Sequence, residues 1–165
     1  MQLTESYGDG EIPPGASGIT LAPWANRVED GGVWYLEGKK QQLDITEASR
    51  NNASHGLLRN TGYTLVDETE FSVTLEATVF PQHGYPFLVR QRVRYELDQS
   101  LDLRVSQTLI NDSQATAPFV LGAHPYLRVG DVAPPEDLVL TVHAGTRLVA
   151  DDRLITQHRS CGRRV

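Results

Sequence analysis

Phe71-Ser72-Val73-Thr74-Leu75-Glu76-Ala77-Thr78-Val79 alternates apolar and polar residues without a break. Phe71, Val73, Leu75, Ala77 and Val79 point one way, and Ser72, Thr74, Glu76 and Thr78 point the other. A period of two marks a β-strand with one buried face. Residues 89–97 repeat the pattern, setting Val89, Val93, Tyr95 and Leu97 against Arg90, Arg92, Arg94 and Glu96. Residues 101–109 repeat it again, with Leu101, Leu103, Val105 and Leu109 opposite Asp102, Arg104, Ser106 and Thr108. Asp98-Gln99-Ser100 is a short polar turn, so the last two strands form a hairpin. Pro81 to Pro86, with Gly84, is a loop joining the first two strands. Further strands are expected near 33–37, 43–46, 62–67, 117–122 and 138–143. No stretch of helical length carries a helical period. The pattern predicts an all-β protein, an antiparallel β-sandwich or a large twisted sheet pair.

The ends differ from the middle. Residues 1–17 are polar and rich in Gly and Pro, and read as loop. Residues 156–165, TQHRSCGRRV, have no apolar alternation and read as a divergent, frayed basic tail. One domain is therefore expected over 1–155, as the N-terminal part of an incomplete sandwich. A chain of 165 residues is long enough to bury a core. With 39% hydrophobic and 22% charged residues it has an ordinary globular composition. Its apolar runs are too short for a transmembrane helix. MQLTESYGDGE lacks the basic flank and apolar stretch of a secretory leader, so a cytoplasmic location is the default expectation. Fifteen basic and 21 acidic residues, a net charge of -6, argue against nucleic acid or an anionic membrane as a partner. The single cysteine, Cys161, excludes an internal disulfide and a Cys-rich zinc site.

The chemistry sits outside the alternating strands. Ala22-Pro23-Trp24-Ala25-Asn26-Arg27 offers a planar fork of donors in Arg27 and an apolar plate in Trp24. In Asn51-Asn52-Ala53-Ser54-His55-Gly56-Leu57, Gly56 allows a sharp turn or a close ligand beside His55. In Pro118 to Tyr126 an apolar strand delivers His124 directly before Pro125, which biases the imidazole toward an extended backbone. Each taken singly also suits a plain structural role: a capping histidine, or a turn with a surface charge. His83, His143 and His158 are given no role. The Arg90, Arg92, Arg94 row reads as a solvated face. Nothing near His55 or His124 completes a metal site, and no nucleophile elbow or Gly-rich phosphate loop is present.

Taken together these segments resemble the aldose 1-epimerase (galactose mutarotase) family. The resemblance runs through Gly18-Ile19-Thr20-Leu21-Ala22-Pro23-Trp24-Ala25-Asn26-Arg27, then Asp30-Gly31, Gly38, and Asn52 to Leu57. It continues in Gly84-Tyr85-Pro86-Phe87, Asn111, Pro118 to Tyr126, and Asp151-Asp152-Arg153-Leu154-Ile155. The resemblance implies a supersandwich fold and a small-molecule partner, a free hexose such as glucose or galactose. It implies a mutarotase that opens the hemiacetal ring with no cofactor and no metal. A base takes the proton of the anomeric hydroxyl, an acid protonates the ring oxygen, and rotation and reclosure give the other anomer. On the same grounds His124 is the general acid, and His55 hydrogen-bonds at or near the ring oxygen. Arg27 holds sugar hydroxyls, Asn26 fixes its loop, and Tyr126 lines the pocket.

The departures shape the alternatives. The family's general base is a glutamate near the end of a chain nearly twice as long, and an aspartate that binds sugar hydroxyls lies in the same half. Neither has a counterpart here, and Glu47, Glu96 and Asp102 carry no motif for the role. The rival to an active epimerase is a carbohydrate-binding or remnant domain without the base. A hexose-phosphate epimerase is a further alternative, with Arg59 and Arg128 as candidate phosphate ligands or else as solvated loop charges. An unclosed sheet is expected to self-associate.

Overall fold

The computed structural model describes residues 4–8, 10–100, 102–129 and 138–160. In chain order its strands are β1 (Thr20–Leu21), β2 (Arg27–Val28), β3 (Val33–Leu36), β4 (Lys39–Gln42), β5 (Ala53–Ser54) and β6 (Thr64–Thr69). There follow β7 (Ser72–Val79), β8 (Val89–Leu97), β9 (Leu103–Asn111), β10 (Gly122–Ala123), β11 (Arg147–Ala150) and β12 (Thr156–Ser160). Among the described residues the only α-helical turn is Glu29–Gly32, where Asp30 and Gly31 have left-handed backbones. No helix among the described residues is long and apolar enough to cross a membrane. The architecture is the expected antiparallel, nearly all-β one. The chain divides into two compact units, Thr20–Gly122 and Met1–Ile19 with Ala123–Val165.

The larger unit is built on the four-stranded sheet β6-β7-β8-β9. Leu75 pairs with Val93 and Val93 with Gln107, so odd-numbered residues of the three longest strands share a face. On that face Ala77, Val79, Val89 and Val93 are buried, as the alternation predicts. Phe87, 1% exposed, packs edge-to-face on Tyr85 at 5.0 Å and an interplanar angle of 67°. Leu43, Ala53, Leu58, Ala22 and Ala117 pack into the same cluster. The opposite face carries ion pairs from Arg92 to Glu76 at 2.6 Å and from Arg90 to Asp112 at 2.6 Å. The arginine row is thus a paired outer face. Asp98 closes the β8–β9 hairpin, its Oδ1 accepting the backbone N–H groups of Ser100 and Asp102 at 2.8 and 3.0 Å.

A polar chain crosses the buried face. Gln91, fully buried, accepts the Tyr63 hydroxyl at 2.6 Å and donates to Gln107 Oε1 at 2.7 Å. Gln107 in turn donates to the Gly122 carbonyl at 3.0 Å. A buried amide is tolerated when its donors and acceptors are met in this way.

Several expectations are corrected. Leu103 and Val105, expected on the buried face, are 43% and 44% exposed. They lie on β9, the last strand of its sheet, paired on one side only among the described residues. Phe71 is 56% exposed because it sits in the turn before β7 begins. The strand expected at 43–46 lies at Lys39–Gln42, paired with β3 across the left-handed Glu37 and Gly38. The segments 117–122 and 138–143 yield only β10, and β11 starts at Arg147. Thr156–Ser160, expected to be part of the frayed tail, instead form β12, paired with β11. Asp151 turns the chain back, its Oδ1 accepting the N–H groups of Arg153 and Ile155 at 2.9 Å each. Leu101 and Cys161 lie outside the described residues.

Candidate functional site

Within the Thr20–Gly122 unit, three residues singled out from sequence come together. β2 pairs with β5, setting Arg27 opposite Ser54. Asn26 and His55 flank that pair in left-handed conformations, φ +60° and +63°. The His55 backbone N–H donates to the Asn26 carbonyl at 2.8 Å. Gly56 follows at φ +78°, where a Cβ would collide with the Ala22 carbonyl. Glycine is therefore required for the turn that carries His55. Leu57 N–H then donates to the same Ala22 carbonyl at 2.8 Å.

The Arg27 guanidinium is held by residues on both sides. Its Nε donates to Glu47 Oε2 at 2.6 Å and its Nη2 to Glu47 Oε1 at 2.8 Å. Its Nη1 donates to Asn26 Oδ1 at 3.0 Å. The Glu47 carboxylate also accepts Arg50 Nη1 at 3.0 Å and Asn52 Nδ2 at 3.4 Å. Backbone bonds lock the loop: Thr46 and Glu47 N–H donate to the Asn52 carbonyl at 3.2 and 3.1 Å. Chiefly through the Arg27 hydrogen bonds, Glu47 titrates at about 2, well below the ordinary carboxylate. Arg27 is correspondingly raised by Glu47. Glu47 carried no motif in the sequence. It sits in a loop twenty positions from its partner on β2, and no periodic pattern spans that distance.

Beside this cluster Trp24 lines an apolar cleft of about 240 Å³ with Val28, Trp34, Tyr85 and Phe119. Trp34 Nε1 donates to the Gly84 carbonyl at 2.8 Å and the Tyr85 hydroxyl to the Pro118 carbonyl at 3.1 Å. Burial pushes the Tyr85 hydroxyl up to about 12.

In the other unit His124 is half-buried and stacks on Tyr126, centroids 5.5 Å apart and planes 16° from parallel. The His124 backbone N–H donates to the Ile19 carbonyl at 3.1 Å, and its carbonyl accepts Gly18 N–H at 2.9 Å. The Tyr126 hydroxyl donates to the Gly15 carbonyl at 3.3 Å. Of the two arginines weighed for phosphate, Arg128 pairs with Glu5 at 3.5 Å. The Arg59 Nε is buried with no hydrogen-bond partner among the described residues.

Residues 9–164 match the family model described as aldose 1-epimerase. The uncharacterized protein YihR of Escherichia coli K12 is 38% identical over 117 residues, covering 71% of this chain and 38% of YihR. The GalM/aldose epimerase homologue of Caenorhabditis elegans superposes with a TM-score of 0.78 at 18% identity, over 96% of this chain and 50% of that one. A galactose mutarotase-like protein of Clostridium acetobutylicum superposes with a TM-score of 0.73 at 20% identity, over 93% and 50%. The chain thus spans half the length of each of these solved structures and less of YihR. With the family model matched across nearly its whole length, the chain belongs to the aldose 1-epimerase family.

Proposed function

We propose that this chain binds a free hexose and serves the interconversion of its α and β anomers. The observation that carries the reading is the aldose 1-epimerase match over residues 9–164. The gathering of Asn26, Arg27 and His55 at one strand pair adds to it. In this reading His124 delivers a proton to the ring oxygen as the hemiacetal opens, acting as general acid. His55 hydrogen-bonds at that oxygen or a neighbouring hydroxyl, and Arg27 donates to sugar hydroxyls. Tyr126 keeps the His124 ring oriented by stacking. Glu47 is unsuited as the base: a carboxylate titrating at about 2 is too weakly basic to take the anomeric proton. On the family resemblance, we assign the base to the part of the relatives' length that this chain does not span.

That partial span favours a second reading, a carbohydrate-binding domain without catalysis. Polarimetry of freshly dissolved α-D-glucose and α-D-galactose, with H124A as control, separates the two. Acceleration that vanishes in H124A supports the epimerase. Sugar binding without acceleration supports the binding domain. Neither binding nor acceleration, from folded protein, sinks both.

A further inference from the structure

We infer that Glu47 is the positioning residue of this site, holding the Arg27 guanidinium in one orientation that leaves single N–H donors for uncharged sugar hydroxyls. The inference rests on the carbohydrate reading above and names how the site selects within it. A guanidinium has five N–H donors. Glu47 takes those of Nε and one on Nη2, and Asn26 takes one on Nη1. Among the described residues, what remains for a ligand is one N–H on each terminal nitrogen, in a plane fixed at both ends. The side chains of Arg27 and Glu47 are only 12% and 17% exposed, so water screens the pair weakly. Glu47 is itself immobile: Arg50, Asn52 and the loop backbone all anchor it.

The donor pattern decides the ligand class. An arginine that binds phosphate side-on offers its Nε and Nη edge to two oxygens of the anion. Here that edge is already filled by the Glu47 carboxylate. The single N–H donors left on the terminal nitrogens suit hydroxyl oxygens. The same carboxylate stays ionised through the physiological range, so the arrangement does not switch with pH.

The test uses the full chain and its E47Q, E47A and R27K variants. The Arg27 Nε–H resonance, assigned by its loss in R27K, reports orientation. Ligand-observed NMR titration with galactose, glucose and glucose 6-phosphate reports binding. Wild type is expected to show a slowly exchanging Nε–H and to bind the two neutral sugars in preference to the phosphate. E47Q and E47A are expected to lose the slow exchange and to weaken neutral-sugar binding by about tenfold, the worth of one charge-assisted hydrogen bond. Unchanged backbone amide resonances outside the Arg27–Glu47 cluster in E47Q show that the loss is local. Equal sugar affinity in wild type, E47Q and E47A overturns the positioning role alone. Tighter binding of glucose 6-phosphate by wild type overturns the neutral-ligand assignment. Failure of wild type to bind any of the three sinks the carbohydrate reading and this role in recognition with it.

Discussion

Arg27 and Glu47 meet fork to fork, Nε to Oε2 at 2.6 Å and Nη2 to Oε1 at 2.8 Å. The pair joins β2 to the loop that leads into β5, and so ties together the segments carrying Asn26 and His55.

Acid should weaken the fold through this pair. Glu47 titrates at about 2 in the folded chain against an ordinary value of 4.5. Above 4.5 both folded and unfolded chains carry the carboxylate, and its stabilisation is fully present. As pH falls from there toward 2, the unfolded chain takes up the proton first, and the stabilisation is progressively lost. Urea midpoints measured from neutrality to about pH 2.5 should fall more steeply for wild type than for E47Q. Parallel curves would show that the pair contributes nothing to stability.

Two glycines with nearly the same backbone should behave very differently. Gly56 and Gly38 have φ of +78° and +79°. A Cβ on Gly56 runs into the Ala22 backbone, whereas nothing lies within 4 Å of one on Gly38. G38A should therefore cost only the left-handed strain, about 1 kcal/mol. G56A must also displace the Ala22 backbone, and should cost more than about 3 kcal/mol or prevent folding. Thermal unfolding of both variants decides the matter, and equal losses would refute the close approach.

The sheet was legible where side chains alternate. Residues 89–97 form β8 to the residue, because Val89 and Val93 face the core while Arg90 and Arg92 face outward. Lys39–Gln42 escaped because Lys-Lys-Gln-Gln has no apolar face to signal a strand; its register comes from β3. Leu43 and Ile45 drew the expectation downstream, yet Leu43 is buried from a loop. β12 escaped for a related reason: the Asp151 turn, rather than an apolar pattern, brings it back to β11. At the candidate site, the sequence singled out His55 through the Gly56 turn beside it and Asn26 through the family resemblance. Glu47 was not, since an ion pair between a two-residue strand and a distant loop leaves no spacing to read.

Tyr63 should matter more for stability than its place outside the motifs suggests. Its hydroxyl lies 2.6 Å from Gln91 Oε1 and 2.5 Å from Thr20 Oγ1, and burial raises its titration point. Y63F leaves the buried Gln91 oxygen with Thr20 at 3.3 Å as its hydroxyl neighbour. The expected loss is about 1–3 kcal/mol, the cost of a poorly satisfied buried acceptor. Chemical unfolding reads it directly; a neutral or stabilised Y63F would mean that Thr20 takes over the bond.

The outer edge of β9 carries the case for self-association. Val105 and Leu103 are 44% and 43% exposed on a strand paired, among the described residues, only with β8. Unpaired backbone groups next to exposed apolar side chains form a template for another strand. A lysine there blocks edge pairing, because a second copy would have to bury its charge. V105K should therefore raise the monomer fraction in sedimentation velocity while shifting stability by less than about 0.5 kcal/mol, since the site is already open to water. Wild type that sediments as a monomer at the same concentrations would remove the edge as a contact. Unchanged association in V105K would assign the contact to a different face.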